Sequence, residues 1–200
     1  LRDDRIQAVI ALNPVTSSLF GPEGFAKVSI PSLLVAGSSD PLAPALLEQI
    51  RPFTWLNAAD AEINAETNAE TSAETEVPHY LALIQGGSHL YDPLEIEGTD
   101  RVAAANQLVT ADTDLGYSYL KALSLGFMQA EVDQNPVYQE ALDSAAVIQI
   151  GQQPLPLYIV TTLTEAMLTP PEPSLPMETE PPSAPESVPS PSIVPPNVSQ

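Results

Sequence analysis

Cysteine is absent from the 200 residues, which excludes disulfides, thiol catalysis and cysteine-bound metals. The compartment stays open, because exported and cytosolic proteins alike can lack cysteine. Basic residues are nearly as scarce. Six Lys and Arg stand against 26 Asp and Glu, leaving a formal charge of −20, and none follows Lys121. Phosphate recognition needs clustered cations, so nucleic acid is not an expected partner. An anionic lipid surface is disfavoured for the same reason. No apolar run approaches the roughly 20 residues of a membrane span, so no transmembrane segment is expected. Histidine occurs twice, at His79 and His89. Neither belongs to a close-spaced ligand pair of the kind that holds zinc, and no metal or other cofactor is expected. His79, beside Pro78 at the start of a strand, reads as a surface residue.

What is present is a set of short apolar runs, each stopping at small or polar residues. Ile6–Leu12 ends at Asn13-Pro14, Ser32–Ala36 ends at Gly37-Ser38-Ser39-Asp40, and Tyr80–Ile84 ends at Gln85-Gly86-Gly87-Ser88-His89. Runs of this length, continuous rather than alternating, are the pattern of parallel strands covered on both faces. They predict an α/β fold with about three parallel strands and flanking helices. If further strands belong beside these, their loss leaves an unpaired apolar edge. In open parallel sheets, functional side chains sit just past the carboxyl ends of the strands, which is where Asp40 and His89 fall. A carboxylate bonded to one ring nitrogen fixes the imidazole tautomer and leaves the other nitrogen to take a proton from a nucleophile.

The third member of such a triad is missing. A serine nucleophile on a strand-to-helix elbow carries the signature G-x-S-x-G, and that pentapeptide does not occur. Ser17 and Ser18 lack the flanking glycines and read as turn serines. The chain is therefore read as the C-terminal part of an α/β hydrolase, with nucleophile and oxyanion donors upstream. The other reading is a non-catalytic interaction protein built on a degenerate hydrolase half.

Around the strands, Ala43–Leu56 predicts a crossover helix interrupted by Pro52, with Glu48 and Arg51 as an exposed ion pair. Thr99–Val109 predicts a short helix. Leu115–Val132 predicts a long packing helix capped by Asp112 or Thr113. Asn135-Pro136 starts another helix, running to Gly151. An apolar run, Leu157–Val160, closes the ordered part, which spans residues 1–168. Residues 61–76 repeat a four-residue unit, AEIN-AETN-AETS-AETE. That spacing stacks like charges along one helix face, so a floppy acidic insertion is expected, without a coordination loop for calcium. Residues 169–200 are dominated by Pro, Ser and Glu and predict a disordered, partly polyproline II tail.

Taken together, Asn13–Gly21, Ser29–Pro44, Leu83–His89 and Tyr119–Leu125 resemble a bacterial, largely cyanobacterial, α/β-hydrolase group described as predicted dienelactone hydrolases. That group is related to the platelet-activating-factor acetylhydrolases. The resemblance covers roughly Leu1 to Met167, outside the acidic repeat. It implies carboxylic ester hydrolysis of a small-molecule or lipid ester, such as an acyl lipid or lactone, with Asp40 as triad acid and His89 as triad histidine. Members carry a further N-terminal domain before the hydrolase domain. The acidic repeat and the tail are departures from the group's pattern.

Overall fold

In the computed structural model, residues 3–56, 77–89 and 108–169 are described. The acidic repeat, the 169–200 tail apart from Thr169, and all but the last two residues of the helix expected at 99–109 lie outside them. The described residues form a mixed α/β unit. Its sheet has four strands in the order β1 (Val9–Leu12), β2 (Ser32–Gly37), β3 (His79–Ile84), β4 (Leu157–Val160). The first three are parallel, as the apolar runs predict, with Val35 opposite both Leu12 and Ala82. β4 runs antiparallel to β3, placing Ile159 opposite Ala82.

The central strand explains the unbroken apolar reading. Every residue of β2 is buried, because its two faces serve two cores. Leu33 and Val35, with Tyr80, Ala82 and Ile84 of β3, pack against helix α3 (Thr113–Phe127), chiefly Tyr119, Leu120, Leu123 and Phe127. Leu34, Ala36 and Leu81 point the other way, onto Phe25 of α1 (Ser17–Phe25) and Phe53 and Leu56 of α2 (Arg51–Leu56). Helices on both faces keep water from the strands, so alternation along the sequence carries no signal.

β1 departs from its reading. It is shorter than the Ile6–Leu12 run and lies at the sheet edge, where Val9 and Leu12 remain 39% and 47% exposed. With neighbours on one side only, its apolar residues are half covered, and Ile6 lies outside the strand, exposed. α1 begins at Ser17, so Ser17 and Ser18, which read as turn serines, lie in the first turn of a helix. It breaks at Gly21, whose φ of +59° is open to glycine at little cost, and Pro22 follows.

Before α2, Leu46–Ile50 winds as a π-helical turn, with the Arg51 N–H bonding the Leu46 carbonyl. The chain therefore reaches Pro52 already in a wider register, and the expected interruption becomes a change of helix type. α3 starts as predicted, with the Asp112 carboxylate accepting from the Leu115 N–H, and passes into a second π turn at Met128–Val132.

The helix expected from Asn135 to Gly151 is two helices, α4 (Pro136–Ala141) and α5 (Ser144–Ile150). Asn135 caps the first through the Val137 N–H. The break falls where the Asp143 carboxylate accepts from the Ala145 N–H and Ser144 Oγ donates to the Ile159 carbonyl of β4. Local capping and a tie to the sheet outweigh continued helix. A last turn, α6 (Glu165–Leu168), follows β4. Among the described residues, no helix is long and apolar enough to cross a membrane.

Candidate active site

Because β2 and β3 are parallel neighbours, the loops that leave their carboxyl ends lie side by side. They are joined by backbone bonds: Ser38 N–H to the Ile84 carbonyl at 3.1 Å and Ser39 N–H to the Gly87 carbonyl at 2.8 Å. Ser38 Oγ in turn accepts from the Gly86 N–H at 2.9 Å. Asp40 and His89, 49 residues apart in sequence, meet across this seam, with Asp40 Oδ2 2.7 Å from His89 Nδ1.

The Asp40 carboxylate is fully buried and His89 keeps 27% of its side chain exposed. Burial of a carboxylate is tolerable only when its lone pairs are used. Here Oδ1 accepts from the Leu42 and Ala43 N–H groups at 2.8 and 2.9 Å, leaving Oδ2 for the ring. The short turn Pro41-Leu42-Ala43 thus aims the acid. An acceptor at Nδ1 selects the tautomer protonated there, so Nε2 is the nitrogen with the basic lone pair.

The histidine loop is held from several sides. Gly86 turns the chain at φ +78°. The Ser88 N–H donates to Thr110 Oγ1 at 3.0 Å, and the Ser88 and His89 carbonyls both accept from the Asn13 side-chain amide at 3.0 Å. Asn13 reads from the sequence only as the stop of the first strand. A polar residue between an apolar run and proline, of a type that tolerates positive φ, is the one signal that marks it.

The remaining candidates fall elsewhere. Ser17 Oγ donates to Glu48 Oε1 at 2.8 Å and takes part in a helix cap. Glu48 does not pair with Arg51: its Oε2 accepts from the Thr16 and Ser17 N–H groups, each at 2.9 Å, while Arg51 lies 3.4 Å from Glu165. The N-terminal N–H groups of α1 are the stronger partners, since they are half-buried donors and Thr16 makes no side-chain cap of its own. His79 is buried at 3% exposure, a correction to its reading as a surface residue, because β3 begins inside the sheet opposite Ser32. It stands at the other end of β3 from His89, roughly 17 Å or more of strand away, too far to share a metal ion.

The Ser17 N–H bond, aided by those of Ser17 Oγ and the Thr16 N–H, holds the Glu48 carboxyl below its usual value against the opposing effect of burial. A depressed folded-state value means the clamp stabilises the fold fully above the unfolded value, about 4.3, and loses that contribution as pH falls through the folded one. Glu48→Ala is expected to cost about 1–2 kcal/mol at pH 7. The gap from the parent chain should narrow below about pH 4. Urea unfolding at pH 7 and pH 3.5 checks both, and an equal gap at the two values would show that charge plays no part.

Compared with known proteins, the chain matches no family model and no curated sequence.

Proposed function

We propose that Asp40 and His89 are the acid and base of a serine-type carboxylic ester hydrolase with an α/β-hydrolase fold. The 2.7 Å bond between a fully buried carboxylate and a part-exposed imidazole, at the ends of adjacent parallel strands, carries this reading. An Asp–His pair alone occurs as a structural ion pair. What favours catalysis is the division of labour at Asp40: one oxygen serves the backbone, the other serves the ring. The order acid then histidine, on consecutive strands of the sheet, matches the hydrolase order nucleophile, acid, histidine.

In the reaction, a serine attacks the acyl carbonyl while His89 Nε2 takes its proton, and Asp40 stabilises the imidazolium that forms. His89 then returns the proton to the departing alkoxide. Water repeats the cycle on the acyl-enzyme. The serine and the oxyanion donors would be supplied by a segment preceding β1. Val15, Leu19, Phe20, Leu42 and Leu46, exposed on the loops and helix starts at this end of the sheet, suit an apolar acyl group such as that of a lipid ester or lactone.

The test is hydrolysis of p-nitrophenyl acetate. The present chain is expected to be silent, and a form extended upstream to include a G-x-S-x-G elbow is expected to turn over and to lose activity with His89→Ala. An extended form that is inert, or indifferent to His89→Ala, favours the interaction-protein alternative.

A further inference from the structure

At the end of β1, Asn13 adopts φ +43°, in the left-handed region that disfavours most residues and asparagine less. The residue is 4% exposed, and the bonds around it show what the unusual backbone achieves. Oδ1 accepts from the Gly37 N–H at 2.9 Å, at the last residue of β2. The two hydrogens of Nδ2 reach two successive carbonyls, those of Ser88 and His89, each at 3.0 Å. The Asn13 N–H meanwhile continues the ladder to the Val35 carbonyl at 2.8 Å. One amide therefore ties the ends of all three parallel strands, and every polar atom it owns is used.

Two consecutive carbonyls turned to one donor group fix the backbone on both sides of the His89 Cα. That fixes the direction of the Cα–Cβ bond, and so the place of the ring relative to Asp40. The Gly37 contact at the other end of the amide sits three residues from Asp40, so the same side chain indexes the acid loop to the base loop.

We propose that Asn13 is a positioning residue for His89, setting the Asp40–His89 geometry without touching substrate. Its role in turnover rests on the hydrolase reading above, whereas its effect on the pair does not. The strain at φ +43° is offset by the three hydrogen bonds that the amide makes from there.

The test uses the chain as it is, with the two histidine rings followed by ¹⁵N–¹H NMR and assigned with His89→Gln. Asn13→Gly accepts the positive φ, so it removes the amide without adding strain. The parent chain should show His89 protonated at Nδ1, with a low-field proton shared with Asp40. In Asn13→Gly the ratio of Nδ1-protonated to Nε2-protonated ring should fall about tenfold or more, as in Asp40→Asn, while a cooperative thermal transition is kept. An unchanged ratio in Asn13→Gly, with Asp40→Asn altered, overturns the positioning role and leaves the hydrolase reading standing. Ring signals unchanged by Asp40→Asn overturn the pair itself, and with it the hydrolase reading. A measurement that needs no variant is the through-bond coupling from the Asn13 amide protons to the Ser88 and His89 carbonyl carbons. Its presence supports the tie and its absence overturns it.

Discussion

Gly37→Ala is expected to destabilise the chain by about 3 kcal/mol, the upper part of the range for forcing atoms into a packed site. A methyl group built there would lie 2.5 Å from the Gly87 carbonyl oxygen, 2.7 Å from its carbon and 2.9 Å from the Ser88 oxygen. All three are backbone atoms, so no side chain can swing aside, and the histidine loop itself must move. That movement breaks the Ser39 N–H bond to Gly87 and carries Ser88 and His89 away from Asn13 and Asp40. Gly86 is a glycine for a different reason. Its φ of +78° demands one, yet an added methyl would meet nothing nearer than 3.6 Å. Urea unfolding gives the stability change and the His89 ring signal reports the pair. A Gly37→Ala chain of parental stability with the pair intact would show that the two loops are not in register as described.

The parts of this architecture legible in the sequence are those where local pattern and tertiary demand coincide. After their first residues, Ser32 and His79, β2 and β3 read as unbroken apolar runs because helices cover both faces, and the loops that end them carry Asp40 and His89, which meet. Asp112 and Asn135-Pro136 announce helix starts because capping is a property of a few neighbouring residues. β4 is less legible: four residues of Leu-Tyr-Ile-Val fit strand or helix, and nothing in them states an antiparallel partner as distant in sequence as β3.

Where the reading fails, a distant partner has displaced a local one. Glu48 and Arg51 stand three apart on a helix, a spacing worth a few tenths of a kcal/mol. That is less than two half-buried N–H groups at the start of α1 offer, so the glutamate turns to Thr16 and Ser17. His79 looks exposed beside proline until β2 and β3 are paired and Ser32 and His79 prove to be buried opposites. Asn13 is the clearest case, since its donors reach carbonyls 75 and 76 positions on. The apolar run before it marks a strand end, and only the sheet order shows that this end lies within reach of the histidine loop.

Asp40→Asn is expected to leave the fold intact and to reduce turnover about 10⁴-fold in a form that carries the nucleophile. The substitution keeps shape and volume. The amide oxygen can occupy the Oδ1 position and go on accepting from the Leu42 and Ala43 N–H groups, so the turn that holds residue 40 is preserved. The amide nitrogen then takes the place of Oδ2, facing His89 Nδ1 across the present 2.7 Å contact. Two donors cannot share that contact, so Nδ1 must give up its proton and accept. The ring proton moves to Nε2, the nitrogen that has to receive the serine proton, and the base is present in the wrong tautomer. Loss of the negative charge also removes the group that stabilises the imidazolium as it forms. Asp40→Ala would confuse this effect with loss of the turn, whereas the asparagine separates chemistry from folding. Ester hydrolysis measured beside urea unfolding makes the comparison. Turnover within tenfold of the parent, at unchanged stability, would mean that the acid lies elsewhere and that the Asp40–His89 bond is structural.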